Sequence, residues 1–372
     1  MDPAVVVPPH VARPVELLPF KAVMLAPDRV GDPASARALA RPYRDVAARL
    51  TQWIERGLAV SDTAPAVYLH EYTAGGLTVR GLVGALRVSR RADSLGERAV
   101  WPHEAIHPEQ AGELADRMWQ MDLNPAPILL VHHGRAALRD LVSRIATGRP
   151  DWRYLDRTGQ RQRIWAIRDE AVLAEIGDLL ARTSCLVADG HHRYAAYLRL
   201  QQEHPGSAWD AGLAMLVDQH DTPLFLGAIH RTLPGALLQD LVDAATTAGA
   251  QVTPQTRHEA LGALDSTHVV LTDGDEWRAV GPLELDHEAA VSWLHARVLA
   301  RLAAPPTRVA YHHTVEDALE AASASAPAVL LPSPHFDQVR ALVEAGGLLP
   351  EKATSFQPKP SLGVLMRPMS DA

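Results

Sequence analysis

Cysteine is nearly absent. Cys185 is the single one in 372 residues, which excludes an internal disulfide and any cysteine-based zinc site. Its place in the apolar run Cys185-Leu186-Val187-Ala188 marks it as a small buried hydrophobe rather than a nucleophile. Long hydrophobic runs are missing too, since none approaches the roughly 20 residues that a membrane span needs. The opening Met1-Asp2-Pro3 lacks the basic stretch and cleavage site of a signal peptide, so a cytoplasmic protein with no membrane partner is expected. Neither common glycine-rich nucleotide loop occurs, and there is no internal repeat, low-complexity tract or coiled-coil pattern. Excess positive charge is also lacking: the net charge of −8 opposes non-specific nucleic-acid binding.

What is present is an ordinary globular composition, 47 % apolar and 22 % charged, long enough for a large core in two domains. The expected organisation is a core domain over 1–232 and a C-terminal α/β domain over 233–372 whose last segment returns to the site. Residues 1–33 are proline-rich and read as an irregular or edge-strand entry. Ala34 to Leu58 reads as helix interrupted near Pro42, and Gln110 to Met121 as helix. Hairpins are expected around Thr73-Ala-Gly-Gly76 and around Thr158-Gly159. Leu224 to His230 reads as one strand. Helices over Ala236–Ala248 and Ala289–Leu302, and a closing strand at Gly363–Met366, complete a mixed α/β, or α+β, fold.

The densest chemistry is Asp189-Gly190-His191-His192-Arg193-Tyr194, set between the apolar run at Cys185 and a helical stretch from Tyr194. A strand, a glycine turn and a helix start present first-turn amides and the positive dipole end, and the adjacent Arg193 makes an anion site. Phosphate is the expected anion. Arg193 can read it through a bidentate fork, while His191 and His192 can add charge or carry protons. The plainer alternative has Asp189 capping a helix beside surface histidines.

Trp101-Pro102-His103-Glu104-Ala105-Ile106-His107 contains His-Glu-x-x-His, the spacing of a zinc-protease helix. Pro102 and Pro108 flank it, however, and disfavour the long helix that such a site needs. His103 and Glu104 are therefore expected as an acid/base or metal-binding pair on a loop. Arg117, on the following helix, and His230-Arg231, at a strand end, are candidate anion ligands, each against an ordinary surface or strand-end role. In Pro350 to Lys359, Lys352 and Lys359 can each reach a phosphate, with Thr354 or Ser355 donating. The pairs His132-His133 and His312-His313 are read as structural.

Taken in order, these segments resemble the prokaryotic family catalogued as domain of unknown function family 1015, often labelled as co-transcribed with phosphoserine phosphatase. The resemblance runs from Trp53-Ile-Glu-Arg-Gly57 and Ala66-Val-Tyr68 through Arg80-Gly-Leu-Val-Gly-Ala85, Pro102-His-Glu104 and Val187 to Tyr194. It continues in Ile229-His-Arg231 and in Leu349 to Lys359. It implies a ParB/sulfiredoxin-like core and, through relatives acting as serine kinases, a phosphotransferase. Its substrate would be a small hydroxyl metabolite, first free L-serine, with pyrophosphate or ATP as donor and Mg²⁺ as cofactor. On that basis Gly190, His191, His192, Arg193, His230, Arg231 and Lys352 would hold phosphate, and Asp189 and Glu104 would bind metal or activate the hydroxyl. His103 and His191 would assist in proton transfer.

Three positions depart from the family pattern: Ala195-Ala196 replaces Glu-Thr, Ala105-Ile106 removes a threonine, and Ala26-Pro27-Asp28-Arg29 replaces Pro-Pro-Tyr-Asp. A non-catalytic phospho-metabolite or nucleotide sensor is the second expectation, and a ParB-like nucleic-acid-associated protein the third.

Overall fold

A computed structural model describes residues 5–285 and 288–369. The opening residues 1–4, part of the proline-rich entry and of the signal-peptide reading, lie outside them. The chain divides into two compact units: the first takes the described residues of Met1–Leu224 and Pro358–Ala372, and the second takes those of Phe225–Gln357. The first unit is therefore discontinuous.

A ten-stranded mixed sheet organises the first unit. Ala211–Asp218 is buried at every position and lies parallel to Ile128–His132 and antiparallel to Leu77–Arg87. Its uninterrupted apolar run suits a strand covered on both faces. Ile128–His132 pairs antiparallel with Cys185–Asp189, which in turn runs parallel to Arg98–Trp101. The chain leaves Cys185–Asp189 through Gly190 into the helix His191–Glu203. That helix packs close to the sheet because Gly212 has no side chain: a Cβ there would stand 2.1 Å from the ring of Tyr197. Tyr197 also donates its hydroxyl hydrogen to Leu213 O at 3.2 Å. Further along the sheet, Glu71 lies opposite both Arg80 and Arg163 in register and accepts hydrogen bonds from each, so its buried charge is paired on both sides.

The interrupted helix appears as Pro33–Ala40 and Val46–Glu55. The hairpin around Thr158-Gly159 forms from Trp152–Leu155 and Arg161–Ile167. Gly363–Met366 is not a strand. Its residues make turns and one isolated bridge, Val23 with Met366, and the terminal pairing comes later, between Arg367–Pro368 and Leu123–Asn124.

In the second unit a six-stranded antiparallel sheet surrounds a core of Ala260, Val270, Trp277, Ala318, Ala328 and Leu330. The run expected as one strand from Leu224 to His230 is split. Phe225–Gly227 pairs with Ser355–Gln357, and His230–Thr232 joins the sheet. The helix expected over Ala289–Leu302 is an α-helical turn at Ala290–Trp293 followed by a π-helical segment, Leu294–Val298, and a 3-10 turn. Among the described residues no helix is long and apolar enough to cross a membrane. The molecule is mixed α/β.

Candidate functional site

The glycine turn is a genuine conformational requirement. Gly190 has φ 91° and ψ 35°, and a Cβ there would also stand 2.9 Å from Nη2 of Arg193. The helix therefore begins at His191 with no side chain capping its first amides, and the apolar strand carries Asp189 to the same corner.

Asp189 is the hub. Arg193 Nη2 donates to Oδ2 at 2.7 Å, and Lys359 Nζ donates to Oδ1 at 2.5 Å. The Nη1 of Arg193 is fixed by the carbonyls of Pro127, at 2.6 Å, and Ala126, at 3.2 Å. Burial alone would raise the Asp189 carboxyl, but Arg193 and Lys359 outweigh it and hold the pKa below the usual carboxylate value. The helix-capping alternative for Asp189 is not what this geometry contains, since both of its oxygens face cations.

This corner opens into a cavity of about 490 Å³ within the first unit. Leu25, Leu39, Leu123, Pro125, Leu129 and Met366 give it apolar walls, and Arg37, Arg41, Arg193 and Lys359 give it four cations against the single carboxylate of Asp189. Apolar walls with a cluster of like charge suit an anionic ligand with a hydrophobic or ring-bearing body. The wall carrying Lys359 is the segment after Gln357. It is tied down by Tyr72, whose hydroxyl donates to Pro358 O at 2.6 Å, and by Ser361, whose hydroxyl donates to the buried Asp156 at 2.5 Å.

Behind the turn the two histidines act differently from the expectation of phosphate ligands. The Nε2 of His191 accepts the His103 amide hydrogen at 3.4 Å, and the Nε2 of His192 accepts that of His107 at 3.2 Å. Both rings thus hold the loop from His103 to His107 by its backbone, and an accepting Nε2 carries no proton. Burial, reinforced by His103, lowers the pKa of His191 to about 3, so it adds no positive charge near neutral pH. His103 stands edge-on to it with ring centroids 4.5 Å apart, and its Nε2 lies 3.6 Å from Oε1 of Glu104. Tyr194, the last residue of the motif, is fully buried. Its hydroxyl donates to Pro9 O and accepts from the Val11 amide, which ties the N-terminal segment to the turn helix.

The His-Glu-x-x-His spacing falls in non-helical chain, with His107 directly preceding the helix Pro108–Met121, so no zinc-protease helix forms. Among the described residues no group of three or more histidine, cysteine, aspartate or glutamate side chains is placed to hold a metal. Asp189, proposed as a Mg²⁺ ligand with Glu104, has both oxygens engaged by cations, and this donor set does not fit a resident divalent ion.

Arg117 pairs with Glu113 at 2.7 Å on the exposed face of its helix and lies over the ring of Tyr43, itself a lining residue of the cavity. His230, Arg231 and Lys352 belong to the second unit. Arg231 is fully buried and donates to the carbonyls of Ile229, Glu351 and Lys352, so its fork braces backbone rather than facing an anion. His230 accepts the Leu331 amide hydrogen at 3.1 Å, and burial followed by Arg231 lowers its pKa to about 4. Lys352 is exposed.

Sequence reasoning overlooked Arg37, Arg41 and Tyr43. The available signal was the pair of arginines at the end of the short helical stretch before Pro42.

Fold and site together define a mixed α/β protein with a cation-lined cavity at a strand–glycine–helix turn. The chain belongs to the family described as Protein of unknown function (DUF1015), which matches residues 19–302. No curated protein matches it. Among solved structures it is similar to SbnI with a C-terminal truncation from Staphylococcus aureus, at 13% identity and a TM-score of 0.42, over 73% of this chain and 84% of that one. A conserved hypothetical protein from Pyrococcus furiosus is similar at 14% identity and a TM-score of 0.38, over 73% and 94% of the two chains. A free serine kinase in complex with AMP is similar at 16% identity and a TM-score of 0.37, over 72% and 88%.

Proposed function

We propose that the first unit binds a phosphorylated small molecule in its cavity and transfers a phosphoryl group to a small hydroxyl metabolite. Free L-serine is the first acceptor to test, and ATP or pyrophosphate the donor. The observation that carries this reading is the placement of Arg193 and Lys359 beside the uncapped first turn of the helix His191–Glu203, at the end of an apolar cavity. Phosphate gains there from two cations and from a positive helix end without a side-chain cap. Glu104, whose charge acts on His191, is the carboxylate assigned to receive the hydroxyl proton as its oxygen attacks phosphorus and ADP or phosphate leaves from the donor, while Asp189 positions Arg193 and Lys359. The same strand–turn–helix is our ground for placing the core with ParB/sulfiredoxin-like folds.

The test is incubation of the purified protein with L-serine, Mg²⁺ and either ATP or pyrophosphate, followed by detection of O-phosphoserine. Product is expected with one donor, and Arg193→Ala removes both product and ligand binding. Folded protein that yields no product with either donor sinks the serine-kinase reading. Wild-type affinity in Arg193→Ala sinks the site.

One observation favours a sensor instead: in this state Asp189 is held by two cations and leaves neither oxygen open as a base. Ligand-dependent thermal stabilisation without product would select that reading.

A further inference from the structure

The cavity has cations in two places, and only one set is accounted for by the turn. Arg193 and Lys359 share Asp189. Arg37 and Arg41 come from a different element, the helix Pro33–Ala40 and the residue that ends it, and line the same cavity. Arg37 lies in the last turn of that helix, and Arg41 follows it with extended backbone, φ −113° and ψ 136°. Among the described residues the Arg37 guanidinium makes no hydrogen bond or ion pair. That of Arg41 lies over the ring of Tyr43, 5.9 Å from its centre, with no carboxylate beside it. Among the described residues no carboxylate other than Asp189 lines the cavity. Two arginines without a carboxylate partner that line one chamber gain by taking an anion.

We propose that Arg37 and Arg41 form a second anion-binding pole, which takes a second acidic group of a ligand whose first phosphate lies at the Arg193–Lys359 pole. This rests on the phosphorylated-ligand reading of the cavity and narrows it: the occupant carries two acidic groups, and any apolar or ring-bearing body it has lies along Leu25, Leu39 and Met366. The second group is either a carboxylate, as on a phosphorylated amino acid, or a further phosphate, as on a nucleoside diphosphate. A guanidinium fork suits both, and two ligand pairs separate them.

The experiment is calorimetric titration of the full chain with O-phospho-L-serine against O-phosphoethanolamine, which differ by the carboxylate, and with ADP against AMP. Wild-type protein is expected to prefer the doubly acidic member of one pair by tenfold or more. R37A/R41A is expected to reduce that preference to less than threefold, with the singly acidic member bound as in wild type. The pair that responds names the second group. Unchanged preference in the double variant, or no preference in wild type for either pair, overturns the second pole and leaves the phosphate pole standing. Absence of wild-type binding to all four ligands overturns the phosphorylated-ligand reading, and the second pole with it. Both substitutions are on exposed side chains, and circular dichroism confirms that the variant is folded.

Discussion

At the scale of single residues, the motif separates into groups that face the cavity and groups that hold its frame. Asp189 and Arg193 face the cavity, while Nε2 of His191, Nε2 of His192 and the hydroxyl of Tyr194 are engaged by backbone. Residue types alone could not distinguish these roles, because an imidazole that donates to phosphate and one that accepts an amide look identical in a sequence. Burial decides the matter for His191. Its pKa of about 3 lies below the ordinary value of 6.5, so the unfolded chain binds the proton more readily. Its contribution to stability is full above pH 6.5 and is lost as pH falls from there towards 3. His191→Gln keeps an acceptor for the His103 amide but cannot titrate. We expect urea unfolding at pH 7, 6 and 5 to show a shallower loss of stability in this variant, by up to about 1.4 kcal/mol per pH unit. Parallel pH profiles for the two proteins would mean that His191 takes up a proton in the folded state.

Among elements, the strand–turn–helix was the most legible feature, because its apolar run, glycine and helix start occupy consecutive positions. The structure extends the helix three residues earlier than expected, to His191, which converts the expected loop histidines into first-turn residues. Gly190 makes that early start possible. Gly190→Ala should destabilise the protein by about 1–2 kcal/mol, the cost of a left-handed conformation with a Cβ. The added atom also meets Nη2 of Arg193 at 2.9 Å, so the guanidinium must turn away from Asp189. Affinity for phosphate-bearing ligands should therefore fall several-fold at temperatures where the variant remains folded. Equal affinity in a destabilised variant would show that Arg193 holds its place without the glycine. The cavity's other wall was not legible in the same way. Arg37 and Arg41 sit in a helix that reads as an amphipathic surface element, and only its packing beside Leu25 and the segment after Gln357 gives its arginines a shared chamber. The closing strand expected at Gly363–Met366 failed for a related reason: an apolar run marks burial, and here burial is met by turns lining a cavity.

For the whole molecule, the mixed α/β class followed from alternating apolar runs and amphipathic stretches, whereas the edges of the two compact units rest on strand pairing. The first unit closes only when Pro358 onwards rejoins it, and no composition shift marks Leu224 or Gln357 as an edge. Pairing supplies the explanation. Phe225 lies opposite Gln357, Leu226 opposite Phe356 and Gly227 opposite Ser355, so the second unit begins and ends on adjacent strands. Neighbouring residues across such a ladder are about 5 Å apart, which a short linker spans. Replacing Phe225–Gln357 by a few glycine and serine residues should leave a first unit with native far-UV circular dichroism and one cooperative thermal transition. Every described residue lining the cavity belongs to that unit, including Lys359, so binding of phosphate-bearing ligands should persist. The excised Phe225–Gln357, with its own core around Val270 and Trp277, should show a separate cooperative transition by tryptophan fluorescence. Aggregation of both pieces would show that neither unit is stable alone.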